Sequence, residues 1–149
     1  MLTSTAFFTG YGHPNIRATH PTTLEFTTEP HVTLRGDCVV GVACTMAAFT
    51  LPADFKRIAR SQGSQITFEI SSMGVADVVT GIGDPLLDFS NTVSMVIRKS
   101  GYVSDRTVAL KADKAAADLS RRLIRHLQTG AKLEVTVTAR APEQAFNGP

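Results

Sequence analysis

Two groups of residues in this chain have types and spacings that could do chemistry. The first is basic: Arg98, Lys99, Ser100, Arg106 and Lys114. Two guanidiniums, two ammoniums and a hydroxyl form a natural clamp for a phosphate or carboxylate, because arginine presents a planar fork that matches either oxyanion. From Arg98 to Arg125 basic residues outnumber acidic ones, so the mild net charge of +2 conceals a local excess. The second group is His13, Asn15, His20, Glu25, Arg35, Asp37 and Cys38. One of its histidines, or Asp37, could move a proton. His13, His20 and Glu25 also form the donor set of a borderline metal such as zinc, although their spacing matches no zinc motif. Each cluster has a plainer reading. Polar residues beside Gly and Pro are ordinary turn chemistry, a histidine in a turn often serves as a hydrogen-bonding group, and surface bases pair with neighbouring acids.

Cys38 follows Asp37 and could act as a nucleophile only if a base stood beside it to lower its pKa. Otherwise it is a small apolar residue. Cys44 lies in the same β-branched run, CVVGVAC, and an extended strand would hold the two sulfurs too far apart to bond. Gly81-Ile82-Gly83-Asp84 resembles a phosphate loop at first sight, but it lacks a third glycine, and Pro85 stands where a helix should begin. It reads as a turn.

These residues must be positioned by strands. Ile66, Phe68 and Ile70 alternate with Thr67, Glu69 and Ser71, and Leu133, Val135 and Val137 alternate with Glu134, Thr136 and Thr138. Each segment therefore has one wet and one dry face. Ser72-Met73-Gly74 turns the first of these into a strand at Val75–Ile82, making a hairpin. Further strands are expected at Thr3–Gly10, Thr22–Thr28, Cys38–Cys44, Val93–Lys99 and Arg106–Lys111, the last two as a second hairpin that brings Arg98 and Arg106 together at its loop end. A short helix is expected at Pro52–Arg60. A long one is expected at Lys114–Gln128, capped by Asp113 and ended by Gly130, with Ala116, Leu119, Leu123 and Leu127 as its apolar stripe and an Asp118–Arg122 pair on its surface. Its N-terminus would add backbone donors to the anion clamp. The expected fold is mainly β: an antiparallel β-sandwich or partly open barrel with one long and one short helix, a split α+β sheet being the alternative.

The chain's 149 residues suit one domain, expected over residues 1–139 with a flexible tail at 140–149, and no internal repeat stands out. A 43% hydrophobic content excludes a disordered chain. The N-terminus has no secretory pattern, and the longest uncharged stretch is too short and too broken by Gly and Pro for a membrane span. Free thiols suit a reducing compartment, so a cytoplasmic location is expected.

In combination, Gly12-His13-Asn15, Thr19-His20, Thr23 with Glu25, Arg35-Gly36-Asp37-Cys38, Arg98-Lys99-Ser100, Arg106-Thr107 and Ala112-Asp113-Lys114-Ala115 resemble an archaeal conserved-hypothetical family known as domain of unknown function 371. The resemblance runs from about Phe7 to Val137. It implies an archaeal, cytoplasmic, β-rich single domain and no activity. Pro21 departs from the family's pattern, in which a charged or polar residue follows the second histidine.

The leading functional expectation is a small-molecule-binding domain or enzyme acting on an anionic, phosphate- or carboxylate-bearing ligand. His13, His20 and Asp37 would face Arg98, Ser100 and Arg106, which requires His20 and Arg98 to meet at one end of a sheet. The cofactor stays unknown. The alternatives are an RNA- or protein-binding module using Arg121, Arg122 and Arg125, and a homo-oligomeric subunit that buries a sheet face. Aromatic residues, at 7%, are not interleaved with the basic ones, so base stacking on RNA has little support.

Overall fold

The computed structural model describes residues 1–143. Eight strands form in the order β1 (Leu2–Tyr11), β2 (Thr23–Thr27), β3 (Val39–Gly41), β4 (Gln65–Ser72), β5 (Val75–Ile82), β6 (Ser94–Arg98), β7 (Thr107–Ala109) and β8 (Lys132–Ala141). Helix α1 (Ala53–Ala59) precedes β4 and helix α2 (Arg121–Gln128) precedes β8, each after a single 3-10 turn.

The long strands form one sheet in the order β1-β8-β4-β5, antiparallel throughout. The short strands form a second sheet in the order β3-β2-β6-β7. Alternation makes the long strands amphipathic, and their buried residues turn toward the second sheet. There Phe8 meets Phe26 edge-on with ring centroids 5.3 Å apart, and Phe26 stacks on Phe68 at 6.4 Å. All three are buried, so truncating Phe26 to alanine should cost about 3–5 kcal/mol. Helix α1 packs on β1 and β8, and α2 on β4 and β5, each turning its buried residues onto long strands that outrun the short sheet. Single bridges, Tyr11 to Val42 and Ile82 to Leu110, tie the two sheets at both edges without closing a barrel.

The fold is mainly β, with strands close to where alternation places them, but four expectations need correction. First, β6 and β7 are not a hairpin: they pair in parallel, Val96 with Thr107 and Ile97 with Ala109, as β2 pairs with β3. Residues 99–106 therefore run back along the sheet before β7 starts. Second, the long helix is absent. Ala115 is extended, the turn at Ala116–Asp118 is 3-10, and the helix starts only at Arg121, capped by Ser120 Oγ, which accepts from Leu123 N–H at 3.2 Å. Tertiary bonds override helix propensity here. Ala117 N–H donates to the His20 carbonyl, Ser120 N–H to the Asp77 carboxylate, and Arg121 to the Ala116 carbonyl. Asp113 caps no helix; its carboxylate accepts from Thr80 N–H at 2.9 Å. Third, Arg140 and Ala141 belong to β8, so the last strand extends into the expected tail, whose residues 144–149 lie outside the described residues. Fourth, the element order strand, strand, strand, 3-10 turn, helix, strand occurs twice, so the chain does contain a repeat.

Candidate functional site

The outward face of the short sheet carries a group of charged and polar side chains. On β2, Leu24 and Phe26 point into the core, so Thr23 and Glu25 point outward. On β6, the neighbours of Thr23 and Glu25 are Arg98 and Val96. Cys38 lies beside β2, its carbonyl accepting from Glu25 N–H, and Arg106 lies beside β6, its carbonyl accepting from Val96 N–H.

Glu25 is the centre of the group. Arg106 Nη1 stands 3.7 Å from its Oε1, and Cys38 Sγ–H donates to the same oxygen at 3.6 Å. Burial raises the Glu25 pKa above the usual carboxylate range, outweighing the nearby Arg106 charge. The Cys38 thiol is pushed up to about 11, by burial first and by the Glu25 charge second. Burial and the neighbouring Glu25 anion both favour the protonated thiol, the opposite of what a cysteine nucleophile needs. Cys44 is higher still, at about 12, and both cysteines are free.

Arg98 is held in place. Its Nε donates to Thr107 Oγ1 at 2.9 Å and its Nη2 to Ser104 Oγ at 3.1 Å, while the guanidinium lies 4.9 Å from the Tyr102 ring centroid. Desolvation and the charge of Arg106 lower its pKa, but a guanidinium stays charged across the physiological range. Sequence reasoning passed over Tyr102, Ser104 and Thr107 as holders of Arg98. Their signal was a Ser-x-x-Thr spacing in the loop that follows the arginine.

His20 and Arg98 do lie at one end of the sheet: Thr23 is the strand partner of Arg98, and Thr23 N–H donates to His20 Nδ1 at 3.0 Å. Thr22 N–H donates to the same nitrogen at 3.1 Å. An Nδ1 that accepts two backbone donors leaves the ring proton on Nε2. His20 therefore offers a hydrogen-bond donor at Nε2, its Nδ1 being occupied by backbone N–H groups. His13 shows the same pattern, Nδ1 accepting from Asn15 N–H at 3.0 Å, and lies in the turn after β1, where it is bonded to none of the arginines. Asn15 ties that turn to the Val32 carbonyl. Asp37 contributes its backbone carbonyl, which accepts from Thr19 and His20, while Arg35 is exposed in the turn at 33–36. Among the described residues no three of His, Cys, Asp and Glu gather as a metal site, so the His13–His20–Glu25 set does not form.

The rest of the basic cluster disperses. Lys99 pairs with Asp118 at 2.6 Å, replacing the expected Asp118–Arg122 pair. Ser100 Oγ accepts from Tyr102 N–H. Lys114 pairs with Asp77 on β5, away from the arginines, and that same carboxylate takes Ser120 N–H at the start of α2. The start of α2 is thereby tied to Asp77 and Lys114 rather than to the arginines. On α2, Arg121 donates to the carbonyls of Ala18, Ala116 and Leu119, which makes it a structural tie.

Two clefts lie elsewhere. One of about 280 Å³ is bounded by Gln62, Ser64, Gln65 and Asp84. Another of about 170 Å³ sits under the β4–β5 turn. The first holds one carboxylate and no cation, and the second one of each sign. The outward face of the short sheet instead carries Arg98, Arg106 and Glu25. Among the described residues no helix is long and apolar enough to cross a membrane.

The chain matches the family described as Domain of unknown function (DUF371) over residues 8–140, and it belongs to that family. It is similar to the uncharacterized protein MJ0206 of the archaeon Methanocaldococcus jannaschii, with 36% identity over 122 residues, covering 82% of this chain and 90% of that protein.

Proposed function

We propose that this member of the DUF371 family binds a small phosphate- or carboxylate-bearing ligand on the outward face of β2 and β6, in the cytoplasm. Arg98 and Arg106 supply the charge, and the Nε2–H of His20 supplies a neutral donor at the same end. The observation that carries the reading is the pairing of two close guanidiniums with one carboxylate, Glu25, whose ionised form burial disfavours. The face keeps a net positive charge that an incoming oxyanion would neutralise. Arg98 already has two nitrogens fixed by Thr107 and Ser104, so little of its freedom is lost on binding. The reading is one of recognition: the Cys38 thiol is held protonated, the His20 Nδ1 lone pair is occupied by backbone donors, and Glu25 faces Arg106.

Inorganic phosphate is the first probe, measured by titration calorimetry and by thermal shift at low ionic strength. Binding that weakens at least tenfold in Arg98→Ala and in Arg106→Ala, with both variants folded, supports the proposal. Phosphate binding equal in parent and variants, or absent for phosphate and for a panel of phosphorylated and carboxylated metabolites, overturns it.

A further inference from the structure

We propose that the chain is a fused pair of copies of one unit, residues 4–72 and 75–139, and that the face bearing Glu25 lies on the axis that relates them. Exchanging β1 with β5, β2 with β6, β3 with β7 and β4 with β8 turns the order β1-β8-β4-β5 into its own reverse, and does the same to β3-β2-β6-β7. The registers follow. Glu25 pairs with Val39 and Phe26 with Gly41, with a shift between them; Val96 pairs with Thr107 and Ile97 with Ala109, with the same shift. The bridge Tyr11–Val42 answers Ile82–Leu110.

The hydrogen bonds repeat at the level of single atoms. His20 Nδ1 accepts from the N–H groups of Thr22 and Thr23; Asn91 Oδ1 accepts from those of Val93 and Ser94. His13 Nδ1 accepts from Asn15 N–H, and Asp84 Oδ1 from Leu86 N–H. Thr9 N–H donates to Thr45 Oγ1, and Thr80 N–H to Asp113 Oδ1. Gln128 on α2 donates to the Ile16 carbonyl, and Arg60, just past α1, to that of Leu87. Backbone strain repeats too, with Ala18 and Phe89, and Ala43 and Lys111, all near φ +50°. What survives in the sequence is Thr-Gly-x-Gly-x-Pro, at Thr9–Pro14 and again at Thr80–Pro85.

The pair Glu25–Val96 is exchanged with itself, so the axis passes between those two residues on the short sheet. Cys38 and Arg106 are then equivalent positions, as their matching backbone bonds at 2.8 and 2.7 Å show. Core and turn constraints act alike on both copies, and there the bonding pattern is kept even where the residue changes, as in His13 against Asp84 and Thr45 against Asp113. At the axis they diverge in charge: Glu25 against Val96, Cys38 against Arg106, Thr27 against Arg98. One copy carries the acid and the other both cations, so the face is polarised across a seam that is an interface between units. This inference does not depend on what the face binds.

The test cuts the full chain at either of two places. A protease site in the Met73–Gly74 turn separates the units; one in the exposed turn at Leu34–Arg35 cuts inside the first. Each protein is cleaved when folded, unfolded in denaturant and refolded. The pieces from the first cut should reassemble one to one with the native circular dichroism spectrum and a stability that falls on dilution, and the pieces from the second should not. A permuted chain that starts at Val75, joins Ala139 to Ser4 through a second Met-Gly turn and ends at Ser72 should keep the native spectrum, because Ser4–Ala139 is the equivalent of Val75–Ser72. The proposal is overturned if neither the first cut protein nor the permuted chain regains the fold, or if the Leu34–Arg35 pieces recover equally well.

Discussion

Glu25 and Arg106 approach to 3.7 Å across the seam between the two central strands of the short sheet, and the carboxylate is the more buried partner, 15% exposed against 46%. The pair is therefore asymmetric: the acid bears most of the desolvation cost and the base keeps most of its water. Such a pair holds geometry more than it adds stability.

Glu25→Gln should stabilise the protein at neutral pH. Burial raises the folded-state pKa of Glu25 above its unfolded value. Its contribution to stability is then full below the unfolded value and is lost as pH rises through the folded one. A glutamine of the same shape removes that loss. Thermal melts should show the variant about 2–4 °C above the parent at pH 7, with the gap closing toward pH 4. A variant less stable than the parent at pH 7 would mean that the Arg106 attraction outweighs burial.

Asp77 should behave in the opposite sense. Although burial acts against it, Lys114 and the N–H groups of Ser120 and Val78 together hold its pKa below the usual value. The stability it contributes is present above its unfolded pKa and is lost as pH falls through the folded one. Asp77→Asn should cost about 1–3 kcal/mol at pH 7 by denaturant titration and flatten the acid limb of the stability profile. Equal acid sensitivity in the two proteins would show that Asp77 does not anchor α2.

Gly12→Ala and Gly83→Ala should be severe and alike. A Cβ at Gly12 would lie 1.8 Å from the Leu127 carbonyl oxygen, and one at Gly83 would lie 1.9 Å from that of Ala59. Both oxygens belong to helix backbone, so relief requires a helix to move, at a cost of about 3 kcal/mol or more. Chemical denaturation of the two variants should give losses within about 1 kcal/mol of each other. A mild loss in one alone would break the equivalence of the two turns.

Strands were legible because alternation is a local signal: Ile66, Phe68 and Ile70 state their face without help from the rest of the chain. The partner of a strand is not local, so nothing near Val96 announced that Thr107 would pair with it in parallel. The Lys114–Gln128 helix failed for a related reason. Its apolar stripe is real, but Ala117 and Ser120 give their N–H groups to His20 and Asp77, residues far away in sequence. The repeat was hidden because the two copies keep shape rather than identity, Asn91 doing with an amide oxygen what His20 does with a ring nitrogen. Of the candidate site, the placement of His20 and Arg98 at one end of the sheet was foreseeable from their strand ends. The dispersal of Lys99 and Lys114 to separate carboxylates was not.

Cys38 should resist alkylation. With the thiol pushed up to about 11, less than about one molecule in a thousand is thiolate at pH 7.5. Iodoacetamide should label the folded protein at least tenfold more slowly than it labels the chain unfolded in guanidinium. Glu25→Gln should speed labelling, because it removes the anion that opposes ionisation. Rapid labelling of Cys38 in the folded parent would restore it as a candidate nucleophile.

Thr107 should matter to the ligand through Arg98 rather than by touching it. It is fully buried, its hydroxyl accepts from Arg98 Nε and from Ser104 N–H at 2.9 Å each, and no direct route leads from it to the surface. Thr107→Val keeps the volume and strands both donors, at a cost of about 1–3 kcal/mol in stability. With the guanidinium left to Ser104 and Tyr102 alone, phosphate binding should weaken severalfold while its dependence on ionic strength is unchanged, since the charge is still present. Thr107→Ser, which keeps the oxygen, should recover binding without restoring all of the packing. If Thr107→Val weakens the fold and leaves phosphate affinity at the parent's value, the hydroxyl only fills the core, and Arg98 needs no help to face its ligand.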